Sequence, residues 1–247
     1  MTDEYDSLYG IRRSDLWEIR KSPLHFIEHL NEPKKETAAL RFGIAAHMAI
    51  LEPHKFDETY VQAVDGRTKE GKAQLARLKP GQELLGKPEF DTIRKMYWAL
   101  QRNPTAVELM SDYYAEQIYQ WCDHETGEQC KMKADIVTTY KGKPFLVDYK
   151  TTDSCADGHF ERSARKYGYH VQAAMYSEGF FANTYQDPGF AFIAQEKTAP
   201  YAVRVYFCDP YFIQQGKDEY HRLMQIYHHC KVKDEWPGYP DAELLGE

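Results

Sequence analysis

Cysteine is scarce and carries no pattern: Cys122, Cys130, Cys155, Cys208 and Cys230 are odd in number and never form C-x-x-C. That excludes a disulfide framework and a Cys-rich zinc site, and it favours a reducing compartment. No apolar run approaches the roughly 18 residues of a membrane span, and the opening MTDEYDSLYG is acidic and polar, unlike a signal peptide. A cytoplasmic protein without a membrane is the expectation. Internal repeats and low-complexity tracts are missing, as are helix-turn-helix, zinc-finger and RNA-reading aromatic motifs, so sequence-specific recognition of nucleic acid is unsupported. Positive charge is also in deficit, with a formal net charge of −7 that works against a polyanionic partner at long range. Local patches can overrule that sum. Arg67, Lys69 and Lys72, continuing to Arg77 and Lys79, form one basic stretch, and Arg162 to Lys166 forms another.

What is present is enough for one substantial core: 247 residues, 43% hydrophobic. The first 110 residues read as mainly helical. Ser14-Asp15-Leu16-Trp17 looks like a helix start, and Ser22 as N-cap with Pro23 at the first helical position looks like another. A third helix, Thr37 to Leu51, is apolar nearly all round and predicts a central buried element stopped by Pro53. Pro88 to Gln101 carries an amphipathic stripe, and Thr105 to Met110 adds a short helix. Strands are expected at Tyr114 to Cys122, Gly189 to Ala194 and Tyr201 to Asp209. Helices are expected at Phe160 to Ala182 and Tyr211 to His228, before a poorly ordered tail over 231–247. The order predicts a single α/β domain: residues 1–110 as the helical part, 111–230 as a sheet with covering helices.

The most informative segment lies at 133–151. Lys133 to Tyr140 and Lys143 to Thr151 are rich in β-branched and aromatic residues, and Lys141-Gly142 between them suits a two-residue hairpin turn. Counting outward, Tyr140 faces Lys143, Val137 faces Leu146, and Asp135 faces Asp148, with Lys150 further along the same face. Adjacent carboxylates at about 5 Å between Cβ atoms repel unless a cation lies between them. A divalent ion together with the Lys150 ammonium would meet that need. An Asp-x-Lys tripeptide alone is common by chance, but Phe145, Leu146, Val147 and Tyr149 mark this strand as buried, where carboxylates need partners.

Four motifs follow in order: Gly43-x-x-x-His47-x-x-x-Leu51-Glu52, Lys133-Ala134-Asp135, Val147-Asp148-Tyr149-Lys150-Thr151-Thr152, and Gln172-x-x-x-Tyr176. Together they resemble the RecB-like branch of the PD-(D/E)XK nucleases, and over nearly the whole chain the RecE-like exonucleases of phages and prophages. The resemblance implies a restriction-endonuclease-like α/β core, with a mixed central sheet flanked by helices and an N-terminal helical elaboration. It implies that Asp135 and Asp148 bind the catalytic metal, with His47 and the Tyr149 backbone carbonyl as further ligands, and that Lys150 polarises the attacking water. Gln172 and Tyr176 match a motif that orients the lysine, the water or the scissile phosphate. Mg²⁺ suits carboxylate oxygens, and an imidazole would also admit Mn²⁺. Glu52 has two open roles, supporting His47 or capping the next segment. Glu116 is either an additional acidic residue of the site or a strand-rim residue.

The implied activity is a Mg²⁺-dependent exodeoxyribonuclease that digests linear duplex DNA from its ends, 5′ to 3′, leaving 3′ single-stranded overhangs for recombination. The implied partners are duplex DNA ends, a RecT-like single-strand annealing protein, and further copies of the chain in a trimeric or tetrameric ring, in a bacterial host cytoplasm. Arg67, Lys69, Lys72, Lys131, Lys133 and Arg165 are the candidates for phosphate contacts, which position DNA without reading bases. A RecB-like nuclease acting on single strands in repair or CRISPR adaptation is an alternative, although its iron–sulfur forms need four placed cysteines that this chain lacks. A non-catalytic DNA-binding relative is another. His228-His229-Cys230 offers a weaker metal reading, since neighbours on a helix do not face one point.

Overall fold

The computed structural model describes residues 4–32 and 37–241. The helical part contains α1 (Glu4–Ser7), α2 (Arg13–Ile19), α3 (Pro23–Asn31), α4 (Ala38–Leu51), α5 (Pro53–Thr59), α6 (Lys69–Ala76), α7 (Lys87–Leu100) and α8 (Pro104–Leu109). Two short parallel strands, β1 (Tyr60–Gln62) and β2 (Glu83–Leu85), pair around α6. The remainder is β3 (Tyr113–Cys122), β4 (Gln129–Tyr140), β5 (Lys143–Thr152), α9 (His159–Lys166), α10 (Tyr169–Thr184), β6 (Gly189–Glu196), β7 (Val203–Phe207) and α11 (Pro210–Lys233).

Strands β3 to β7 form one five-stranded mixed sheet in sequence order; β5 and β6 are parallel, and the other neighbours are antiparallel. The parallel step requires a crossover, which α9 and α10 supply. On one face Met132, Leu146 and Phe192 pack with Val171 and Met175 of α10 and Tyr220 and Leu223 of α11. On the other, Val147, Tyr149 and Ile193 pack with Ile50, Leu51, Leu100 and Leu109 from α4, α7 and α8. A sheet so covered matches the expected α/β core flanked by helices.

Local chemistry explains many boundaries. Ser22, Thr37, Asn103 and Asp209 each cap a helix by accepting a backbone N–H three residues on, and α3, α5, α7, α8 and α11 carry proline in the first turn, where no donor is lost. The β4–β5 hairpin has the expected turn, with φ of +49° at Lys141 and +77° at Gly142, and the expected register from Tyr140↔Lys143 to Ile136↔Val147.

Several expectations are corrected. Phe160 to Ala182 is two helices, because Gly168 adopts φ +70° and a Cβ there would sit 2.6 Å from the Trp17 ring. The Gly168→Ala variant is therefore expected to lose roughly 2–4 kcal/mol, from left-handed strain plus overpacking, read as a fall in urea midpoint. Helix α4 is not buried throughout: Leu40 and Ile44 are each 47% exposed, and the core takes only Ala45, Ala46, Ala49, Ile50 and Leu51. The basic stretch after Arg67, for which no helix was expected, contains α6. Helix α11 runs past His228 to Lys233, and Trp236 then packs on Phe26 and Tyr227 while the Leu24 N–H donates to the Pro237 carbonyl at 3.1 Å. Trp236 and Pro237 thus tie the mostly exposed segment 234–241 to α3 and α11; the rest of the expected tail lies outside the described residues.

One buried amide ties the helical part to the sheet. Gln195, fully buried on β6, accepts from the Tyr149 hydroxyl at 2.7 Å and donates to the Met96 carbonyl at 2.8 Å. Gln195→Ala leaves the buried Tyr149 hydroxyl unpaired and removes the tie to the Met96 carbonyl, for an expected loss of about 1–3 kcal/mol in equilibrium unfolding; a loss under about 0.5 kcal/mol would show that the bonds do not hold the layer.

Candidate active site

Alternation along β3 and β4 changes phase at Glu116 and Asp135. Cys130, Met132 and Ala134 share one core, whereas Ile136 joins the other; Tyr119 and Trp121 likewise part from Tyr113 and Ala115. Pairing runs Ala115↔Ile136 and Gln117↔Ala134, with the intervening Glu116 and Asp135 outside the ladder. Glu116 carries φ +53°, a strained value for a residue with a Cβ, and such strain persists only where surrounding contacts hold it. The β4–β5 ladder also ends one step before Asp135 and Asp148. Three acids on three neighbouring strands therefore stand where regular pairing lapses.

Their partners are specific. The Asp135 carboxylate oxygen Oδ2 lies 2.9 Å from His47 Nε2 and accepts the Tyr149 backbone N–H at 2.9 Å. His47 Nδ1 is 3.6 Å from Glu116 Oε1, and Glu116 Oε2 pairs with Lys133 Nζ at 2.6 Å. Asp148, 2% exposed, pairs through Oδ1 with Lys150 Nζ at 2.5 Å and accepts through Oδ2 from the Gln172 side-chain amide. The Lys150 ammonium lies over the Tyr169 ring, 5.1 Å from its centroid. Gln172 and Tyr176 share a face of α10, and the negative charges of Asp148 and Asp135 reach the Tyr176 hydroxyl.

Electrostatics divide the acids. Burial pushes Asp148 up, the neighbouring Asp135 pushes it further, and Lys150 only partly opposes them, so its pKa reaches about 6. Burial would raise Asp135 too, but His47 and Lys150 outweigh it and hold that carboxyl below the usual range. Burial would lower His47 and Lys150; the facing carboxylates outweigh it and raise both. Lys150 is therefore a fixed positive charge and a proton donor, not a free base. Burial, first of all, keeps the Tyr176 hydroxyl protonated.

His47, Glu116 and Asp135 each turn one ligand atom inward, all within 4.8 Å of one another. Glu116 Oε1 is buried without a hydrogen-bond partner, as is Gln172 Oε1. A divalent cation would satisfy such oxygens, and two carboxylates with one imidazole suit Mg²⁺ or Mn²⁺. Glu116 enters this group as a direct donor. Asp148 adjoins it: its Oδ1, buried with no hydrogen-bond partner, pairs with Lys150, and its Oδ2 accepts from Gln172.

Other candidates fall elsewhere. Glu52 stands at the α4–α5 junction, where its carboxylate makes no side-chain cap to α5 and pairs with Lys55 at 3.2 Å, and Glu116 is the acid beside His47. Lys131 cannot serve as a phosphate contact: it is 4% exposed, and its ammonium donates to the Tyr5 and Leu8 carbonyls at 2.9 and 2.6 Å, anchoring the first residues to β4. Arg67 pairs with Asp65, and Lys69 and Lys72 lie on α6, in the small β1–β2 unit and not on the main sheet. Arg165 donates to Gln215 on the outer side of α9. Tyr169 is a site residue that sequence reasoning missed, since nothing in its spacing distinguishes it from the neighbouring tyrosines.

A family model described as a PDDEXK-like domain of unknown function (DUF3799) matches residues 13–244. The chain belongs to the PDDEXK-like family. A candidate exonuclease from Eubacterium rectale, solved by crystallography, superposes with a TM-score of 0.68 at 17% identity, covering 100% of this chain and 96% of that one, which shows a shared PDDEXK-like fold. The solved structure of SSO0001 aligns at 13% identity over 85% of each chain with a TM-score of 0.31, too low to inform the comparison. No curated protein matches the sequence. Family and neighbour agree on a PDDEXK-like domain and fold, and neither is specific to RecE. PDDEXK nucleases typically use divalent metals, in keeping with the donor set at His47, Glu116 and Asp135. Among the described residues no helix is long and apolar enough to cross a membrane.

Proposed function

We propose that this protein is a Mg²⁺-dependent exodeoxyribonuclease that digests linear duplex DNA from its ends, 5′ to 3′, leaving 3′ single-stranded overhangs. The observation that carries the reading is the gathering of His47, Glu116 and Asp135 beside the buried Asp148–Lys150 pair. A divalent cation held by those three donors, with Asp148 adjoining, would neutralise phosphate charge and supply a water of lowered pKa.

The chain's own groups have separable tasks. Asp148 and the Tyr169 ring hold the Lys150 ammonium in place, where it can donate to the attacking water or to the charge that develops on phosphorus-bound oxygen. Gln172 fixes the second oxygen of Asp148, and the protonated Tyr176 hydroxyl offers a further donor toward the scissile phosphate. Lys133 orients Glu116 and adds positive charge at the rim. Arg67, Lys69, Lys72 and Arg165, exposed on outer helices and loops, would grip the duplex through phosphates, so binding would fall with salt. The Tyr149 carbonyl as an added ligand, a trimeric or tetrameric ring around DNA, and a RecT-like annealing partner belong to the same proposal.

Linear duplexes labelled at the 5′ or the 3′ end, alongside closed circular DNA, test it in Mg²⁺ and in chelator. Early release of 5′ label from linear DNA, with circles spared, is the expected result. Circles cut as fast as linear DNA would exclude an exonuclease, and early loss of 3′ label would reverse the polarity.

A further inference from the structure

A second group of ligand-type side chains lies at the far end of β3, and the nuclease reading makes no use of it. Six residues of β3 lie between Glu116 and Asp123, a separation of roughly 20 Å at about 3.3 Å per residue. There the β3–β4 turn meets α10 and α11, and Asp123, His124, Glu178 and His221 each present one ligand atom, all within 4.8 Å of one another. Two imidazoles with two carboxylates, drawn from a turn and two helices distant in sequence, are not an acidic surface patch.

The detailed contacts favour a cation over a closed hydrogen-bond network. Asp123 is 2% exposed and rigidly aimed: its Oδ1 accepts the Thr126 N–H at 2.8 Å and the Thr126 hydroxyl at 2.7 Å, and its Oδ2 accepts the Tyr220 hydroxyl at 3.1 Å. Such outer partners are what hold metal-ligating carboxylates in orientation. His221 Nε2 is 3.0 Å from Glu178 Oε1, but its Nδ1 is buried with no hydrogen bond, the nearest carboxylate being Glu125 Oε1 at 3.8 Å. The His124 ring stands edge-on to the His221 ring at 5.3 Å between centroids. A cavity of about 440 Å³ lined by His124, Glu178, Trp121 and Lys217 opens beside them and leaves a route for an ion.

We propose that Asp123, His124, Glu178 and His221 form a second metal site, specific for a transition cation of the Zn²⁺ class. Two imidazoles are poor ligands for Mg²⁺, which prefers oxygen and retained water, whereas Zn²⁺ takes mixed nitrogen and oxygen ligands in four-coordinate sites. The bound ion clamps the β3–β4 turn to α10 and α11. It thereby braces the same α10 that presents Gln172 and Tyr176 to the other site.

The test uses the full chain, stripped with chelator and titrated with Zn²⁺ by calorimetry and with Co²⁺ by visible absorption. Asp135→Asn weakens the first site, so a Zn²⁺ equivalent that persists in it reports on the second. His124 is 70% exposed, so His124→Ala does not threaten folding; Glu178→Gln is the isosteric companion. Expected is one Zn²⁺ per Asp135→Asn chain that excess Mg²⁺ does not displace, weakened at least about tenfold by either substitution, with loss of the Co²⁺ absorption. No Zn²⁺ bound to the Asp135→Asn chain, or binding unmoved by both substitutions, would overturn the proposal. Neither outcome decides the nuclease reading, since the two sites share no residue.

Discussion

Asp148→Asn is expected to reduce hydrolysis of linear duplex DNA by on the order of 10³-fold while leaving the protein folded, because the amide keeps the shape of the side chain and loses its charge. In the native chain Asp148 holds the Lys150 ammonium at 2.5 Å and accepts from Gln172. The neutral variant removes the negative charge that places the ammonium and that adjoins the His47, Glu116 and Asp135 donors. Lys150→Met should fall comparably, since it deletes the positive charge itself, and the double variant should be little worse than either single one, as befits groups acting as a unit. Single-turnover kinetics on end-labelled duplex, with circular dichroism as the control for folding, measure the effect. A folded Asp148→Asn protein with activity within about tenfold of the native chain would remove Asp148 from the reaction.

Divalent cation should also stabilise the fold strongly. Saturation at about 100-fold above the dissociation constant contributes about 2.7 kcal/mol, which for a chain of this size is roughly 5–10 °C in melting temperature. Mg²⁺ and Mn²⁺ should both act, and Asp135→Asn or Glu116→Gln should remove most of the shift. The effect has a predictable pH dependence. Asp148 has its folded pKa raised to about 6, so the native state holds that proton more tightly than the unfolded chain. The associated stability is present at low pH and is lost as pH rises through about 6, when buried like charges appear together. Cation binding offsets that repulsion, so the gain in melting temperature should be larger at pH 7.5 than at pH 5. A shift equal in the Glu116→Gln chain would show that Glu116 is no donor.

Legibility along the sequence followed the range of the interactions. The β4–β5 hairpin was readable because its register depends on a two-residue turn and a period of two, both local. The helix cap at Ser22 was readable too, since it reflects a contact within three residues, whereas Asp209, expected at the end of a strand, caps α11. The motif order around His47, Asp135, Asp148, Lys150 and Gln172 directed attention to residues that the structure brings together. Lys131 misled because a lysine on a strand looks the same whether it meets phosphate or, as here, buried carbonyls of the N-terminal segment. The break at Gly168 was missed because a glycine inside a helical pattern does not by itself say whether the helix runs on or ends; here it takes φ +70° against the Trp17 ring.

By itself the sequence determined the β4–β5 hairpin, the Ser22 cap and the α/β order of elements, which rest on interactions between near neighbours in the chain. Only the tertiary structure decided that Glu116 joins His47 and Asp135 while Asp148 turns to Lys150 and Gln172. The reason is the shared phase change of β3 and β4 at Glu116 and Asp135: alternation within one strand cannot reveal it, because it exists only where two strands lapse from pairing together.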